Sequence, residues 1–423
     1  MADGAVGTRL QASGPVWDLN VFTQSDANAT KQIEYLKNAV PSSSVGFLEL
    51  GNEFYISKNY DWRFPDAASY AKAVRPTIAA ARAAFPDAAV AMVASQIHDA
   101  SKKGGCGDNW NQQLRDNLPE GITDVTMHDY SIGNSSVQRV EGEWQKVAYT
   151  LAYSSVVLAK AAEGARKCFG KDVRIWQTEY NYAAGNGEGF GHNHGPLFPG
   201  KTNGTIHGAY LVSRMLAAVN DPTYRTMNIM CALAVSGVGW GGHSGIVGLD
   251  VDFEAKPAPR VRSAVVTGMA QVYAHLAYLA APSEGTVSMA GLQQADGTGP
   301  RLNLTILGDS GIPCLEGAVF MSAAAPGGPG RVSPVLINRC PEAVVAMVGA
   351  PLGGAASAEY EGHVTTYDTS DEGGSSPLPS KDAPFPWPGP LRKTTSTRVQ
   401  GLLPFAIEVP ALGVVMASLS RSS

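Results

Sequence analysis

The stretch Phe47-Leu-Glu-Leu-Gly-Asn-Glu53 closes a mostly apolar run with a glycine, an amide and a carboxylate. A short apolar run of this kind reads as a buried strand, and polar groups just past its end stand where βα-repeat proteins carry out chemistry. Working outward, the stretch Ile175-Trp-Gln-Thr-Glu179 repeats the form, again ending on a carboxylate. Further strand candidates are Val16–Phe22, Ala88–Ala94, Ile122–His128 and Met227–Val235, with Val45–Gly51 and Asp172–Thr178 around the two carboxylates. Between them, Ala29–Ala39, Ala67–Phe85, Trp110–Asn117, Gln145–Ala165 and His207–Asn220 have helical spacing, and Arg260–Ala281 reads as the helix after the last strand. Six βα units around a parallel sheet are the expected α/β architecture.

Beyond about residue 283 the texture changes. Arg301–Leu307, Gly317–Met321, Val332–Asn338, Ala343–Val348, Gly362–Tyr367 and Gly413–Leu419 are short β-prone runs separated by Gly, Pro and Ser. They predict an antiparallel β-sandwich, with Asp371–Pro390 as a long loop inside it. The expected organisation is therefore a barrel-type catalytic domain over 1–282 and a β-sandwich domain over 283–423.

The chain has 423 residues, 44% hydrophobic and 16% charged, enough to bury a large core. A net charge of -5 without a Lys/Arg run argues against a nucleic-acid partner. No apolar run reaches the ~18 residues of a membrane span, and no signal peptide is legible. The five cysteines show no metal-ligand spacing. Cys314 and Cys340 are placed either to pair or to remain two thiols. Sequons at Asn28, Asn134, Asn203 and Asn303 are compatible with a secreted glycoprotein.

Two carboxylates at strand ends suit glycoside cleavage, in which one carboxyl protonates the leaving oxygen and the other attacks the anomeric carbon. Glu53 ends the second candidate strand and Glu179 the fifth, three strands apart. With Trp17-Asp-Leu-Asn20, Val125-Thr-Met-His-Asp-Tyr130 and Trp176-Gln-Thr-Glu179, the pattern resembles the retaining glycoside hydrolases built on (β/α)₈ TIM-type barrels. Within them it looks most like the heparanase-like endo-glucuronidases and the related α-L-arabinofuranosidases and β-xylosidases.

The resemblance covers about residues 15 to 280. It implies Glu53 as general acid/base and Glu179 as nucleophile, with no cofactor and an oligo- or polysaccharide substrate. It also implies Asn52 on the sugar 2-hydroxyl and His128 and Tyr130 orienting nucleophile or sugar. Trp240 would be a stacking platform and Asn20 part of the pocket wall. The same resemblance puts Glu53 after the fourth of eight strands, so a barrel lacking its first two βα units is expected. The rival reading is accordingly a catalytically inactive barrel that binds carbohydrate or acts as a scaffold. Glu49 shares the strand parity of Glu53 and reads as an interior polar group, while Glu188 reads as solvated. His192 and His194 lack a third ligand and read as an active-site loop rather than a metal site. Nucleotide-binding and serine-hydrolase motifs are missing.

Overall fold

In the computed structural model the described residues are 8–10, 15–23, 26–56, 60–97, 101–129, 140–180, 205–229, 233–235, 247–252, 254–266, 268–280, 287–291, 299–304, 309–321, 324–325, 328–349, 359–369 and 394–422. After a short strand β1 (Thr8–Leu10) come β2 (Val16–Asp18), β3 (Phe47–Glu49), β4 (Ala89–Val93), β5 (Asp124–Asp129), β6 (Arg174–Tyr180) and β7 (Tyr224–Ile229). Strands β2 to β7 form one six-stranded parallel sheet in chain order, as the βα rhythm predicts. The helices between them are α1 (Asp26–Ala39), α2 (Ala67–Ala73), α3 (Arg75–Ala84), α4 (Asn109–Asn117), α5 (Glu143–Phe169) and α6 (Thr205–Val219). Their starts follow local chemistry: the Asp66 carboxylate accepts the Ser69 N–H and that of Asp108 accepts the Asn111 N–H, each satisfying an otherwise orphaned helix donor.

The exit of β3 is held tightly. Leu50 N–H donates to Ala91 O at 3.1 Å, and the buried Tyr70 hydroxyl donates to Leu50 O while accepting from Val93 N–H. Gly51 then takes φ +89°, and a Cβ there would come within 2.3 Å of the Phe54 ring. Its N–H donates to the Asp18 carboxylate at 3.1 Å. Only glycine fits this bend, which explains the residue that precedes Asn52-Glu53. Gly51→Ala is expected to destabilise the protein by about 2–4 kcal/mol, combining left-handed strain with a displaced Phe54. Urea unfolding checks this, and a change below ~0.5 kcal/mol would contradict the assignment.

Two disulfides are present, Cys106–Cys168 and Cys314–Cys340. The second resolves the alternative left open at those positions. The first, which spacing gives no hint of, ties the segment after β4 to the end of α5, where Gly105 approaches Lys167 too closely for a side chain.

Helix α6 is buried on nearly every face. It lies against α5, against β6 through Arg214 and Gln177, and against the antiparallel region through Ser213 and Glu316. Beyond it, Arg260–Val266 is a strand paired with Val247–Asp252, and among the described residues of the expected helix over 260–281 it is α7 (Gly268–Ala280) that is helical. This corrects the expected helix over 260–281: the alternation Arg-Val-Arg-Ser supplies a two-residue period that suits a ladder.

Four of the antiparallel runs expected after residue 283 fall in a seven-stranded sheet centred on Leu315–Met321, Arg331–Asn338, Val414–Arg421 and Glu359–Tyr367, while Arg301–Leu304 and Val344–Val348 belong to separate two-stranded ladders. Its strands alternate. Val335, Ile337, Val414 and Met416 pack with α6 and α7, whereas Leu336, Val415, Ala417 and Leu419 pack with the ladder of Val344–Val348 and Phe405–Val409. Strand β1 pairs with Val287–Gly291 at one edge, so residues ahead of the parallel sheet join the antiparallel one.

Candidate active site

Glu53, His128 and Glu179 meet at the C-terminal ends of β3, β5 and β6. The local backbone explains how. Along β5 and β6, Thr126 faces Trp176 but His128 faces Glu179, so β6 carries one extra residue there. The other neighbour agrees: Gln177 faces Met227 while Tyr180 faces Ile229. This bulge turns the two consecutive side chains Thr178 and Glu179 toward the same cluster, which strict alternation would forbid. Glu53 sits just past the Gly51 bend and itself adopts φ +48°, a conformation costly for a non-glycine residue and concentrated at functional sites.

His128 is the hub. Its Nδ1 lies 2.7 Å from Glu53 Oε1 and 3.5 Å from Glu179 Oε2, and its Nε2 lies 3.0 Å from Thr178 Oγ1. Thr178 donates in turn to Glu49 Oε1 at 2.8 Å. One donor atom from each of Glu53, His128 and Glu179 can be chosen so that all lie within 4.8 Å of one another. Two carboxylates and an imidazole are also a cation's donor set, but the Nδ1 to Oε1 hydrogen bond already engages two of those atoms. The side chains of Glu53 and Glu179 are each 22% exposed and that of His128 only 4%, so the carboxylates face the opening and the ring lies beneath them.

Of the other residues expected from sequence, Asn52 is half-buried between Gly51 and Glu53. Asn20 is exposed and spends its side chain on its own turn, accepting from Phe22 and Thr23 N–H and donating to Thr23 Oγ1. None of its described contacts reaches the cluster. Tyr130 and Trp240 lie outside the described residues, as do Glu188, His192 and His194.

Sequence reading passed over Thr178, whose role depends on the bulge. It also passed over the buried ion pair of Asp129 with Arg214, one residue from His128. Tyr55 is a third omission. Burial, then the charges of Glu53 and Glu179, pushes its hydroxyl well above the ordinary range, keeping it a proton donor beside the carboxylates.

Burial would lower the His128 pKa, but the hydrogen bond to Glu53 and the charges of Glu179, Glu53 and Glu49 outweigh it and raise the value. Burial raises Glu49 from its ordinary 4.5 to about 7, against the opposing pull of His128 and Thr178. Between those two values the folded protein holds a proton that the unfolded chain has released. Stability contributed by Glu49 is thus complete below about 4.5 and lost as pH rises through about 7. The raised His128 value acts in the same direction. The expected result is a fall on the order of 2–3 kcal/mol across this window, reduced in Glu49→Gln, as read by urea unfolding at several pH values. Stability that rises with pH there would contradict the assignment.

No protein-family model matches the chain, and no curated protein matches it. Solved structures do. An α-L-arabinofuranosidase from Thermotoga maritima, in complex with arabinose, superposes with TM-score 0.58 at 12% identity, over 96% of this chain and 75% of its own. A family 51 α-L-arabinofuranosidase from Bifidobacterium longum gives TM-score 0.59 at 13% identity, covering 96% and 76%. The chain has the fold of the family 51 glycoside hydrolases. A family 51 arabinofuranosidase from Xanthomonas axonopodis pv. citri agrees, with TM-score 0.55 at 16% identity over 96% and 76%. The similarity covers 96% of this chain and so spans both the parallel and the antiparallel regions.

Proposed function

We propose that this chain is a retaining glycoside hydrolase acting by double displacement, with Glu179 as nucleophile and Glu53 as acid/base. The observation that carries the reading is the approach of the two carboxyl groups, within 4.8 Å at their nearest chosen oxygens across His128. Direct attack uses carboxyl groups about 5–5.5 Å apart, whereas an inverting site needs roughly 6.5–9.5 Å to admit water. Glu53 gives its proton to the departing oxygen as Glu179 attacks the anomeric carbon. It then takes a proton from the water that releases the sugar. Asn52, beside Glu53, holds the sugar 2-hydroxyl, and the Tyr55 hydroxyl stays protonated near the carboxylates.

Strands β2 to β7 correspond in this reading to strands three to eight of a (β/α)₈ barrel, placing Glu53 after the fourth and Glu179 after the seventh. The barrel domain spans 1–282 and a β-sandwich domain 283–423, with β1 crossing to the latter. The substrate is an O-glycoside of an oligo- or polysaccharide. α-L-Arabinofuranosides are tested first because the superposed enzymes act as arabinofuranosidases, and β-glucuronides next. Two disulfides fit an oxidising, extracellular setting.

The test is the configuration of the first-formed sugar, followed by proton NMR on an aryl glycoside before mutarotation. Retention is expected. Inversion would sink the double displacement, and binding without turnover would favour a carbohydrate-binding role.

A further inference from the structure

We propose that Glu49 and Thr178 are positioning residues that clamp the Nε2 edge of His128, leaving Nδ1 as the single edge shared between Glu53 and Glu179. This rests on the glycosidase reading and adds to it. Thr178 has one hydroxyl proton, and it is given to Glu49 Oε1 at 2.8 Å. Its oxygen must then accept from His128 at 3.0 Å, which fixes the proton on Nε2. The ring can neither flip nor change tautomer without breaking this chain, and all three members are buried. Nδ1 is thereby held 2.7 Å from Glu53 and 3.5 Å from Glu179.

The consequence is a stationary partner for a moving charge. Before the first step Glu179 is the ionised carboxylate, and after it, with Glu179 esterified, Glu53 is. The Nδ1 edge of His128 faces both, so the net charge of the trio is unchanged by the transfer and the ring need not move. Its protons stay in place: the proton that leaves Glu53 goes to the leaving oxygen, and the one that returns comes from water. The charged groups facing His128 are Glu49 and Glu53 from the β3 segment, Glu179 from β6 and Asp18 from β2. Placing the ring from below matters because misplacement by about 1 Å can cost ~10²-fold in rate.

The test pairs kinetics with ring ¹⁵N NMR of His128 in the full chain. Thr178→Val is expected to lower kcat roughly 10- to 100-fold with KM within about threefold, and Thr178→Ser to restore kcat to within about threefold. The Nε2–H signal should give way to mixed tautomers in the valine variant alone. Above about pH 7, where Glu49 is ionised, Glu49→Gln keeps volume and an acceptor but removes charge, so the His128 titration midpoint read there should fall by about half a unit. Wild-type kcat or an unaltered Nε2–H signal in Thr178→Val would overturn the proposal. Should that variant not fold, an unmoved midpoint in Glu49→Gln overturns it instead. The NMR arms need no turnover, so their outcome is separate from that of the glycosidase reading.

Discussion

Glu179→Ala is expected to lose at least ~10⁴-fold in turnover of an aryl glycoside while keeping its fold. The reason lies in the site geometry. Glu179 is turned to the cluster by the β6 bulge and is partly open to solvent, so its removal takes away the attacking oxygen and little packing. Azide entering the vacated space should restore part of the rate with activated leaving groups. The sugar azide formed should have the configuration opposite to that of the substrate. Glu53→Ala with azide should instead give a sugar azide of retained configuration, because the nucleophile is still present and azide replaces water in the second step. Identical azide products from both variants would refute the division of roles.

Arg214→Met is expected to destabilise the protein by about 3–5 kcal/mol. Arg214 and Asp129 are both fully buried. The guanidinium also donates to Gln177 Oε1 and the Tyr210 hydroxyl, and it lies over the Tyr180 ring. Removing it takes away the cation paired with the fully buried Asp129 carboxylate, one residue from His128. Arg214→Met/Asp129→Leu should recover much of the loss, since an apolar pair of similar volume replaces a buried ion pair at little cost. Urea unfolding of the two variants checks this; an Arg214→Met change below ~1 kcal/mol would contradict it. The single variant should also lose activity, because Gln177 and Asp129 flank the strand ends that carry Glu179 and His128.

The carboxylates and their strands were legible because burial on both faces makes parallel strands read as short apolar runs, and a polar group at the end of such a run stands out. Glu53 and Glu179 came from that signal, and His128 from the family resemblance. Thr178 did not, because a bulge is a pairing property of three strands and leaves no local mark between Trp176 and Tyr180. Asn20, expected in the pocket wall, forms an Asx turn in which its side chain accepts from Thr23 N–H and donates to Thr23 Oγ1. The Cys106–Cys168 link joins residues far apart in sequence, and spacing carries no information about such a pair. The strand Arg260–Val266 was read as helix together with the helical segment Gly268–Ala280 that follows it in sequence.

The most direct test of the central claim is covalent trapping. A 2-fluoro glycoside with an activated leaving group slows both steps, the second more, so the glycosyl-enzyme accumulates. Peptide mapping by mass spectrometry should find one fluorosugar on the peptide containing Glu179 and none in Glu179→Ala. An adduct on Glu53, or turnover without any adduct, would contradict the account.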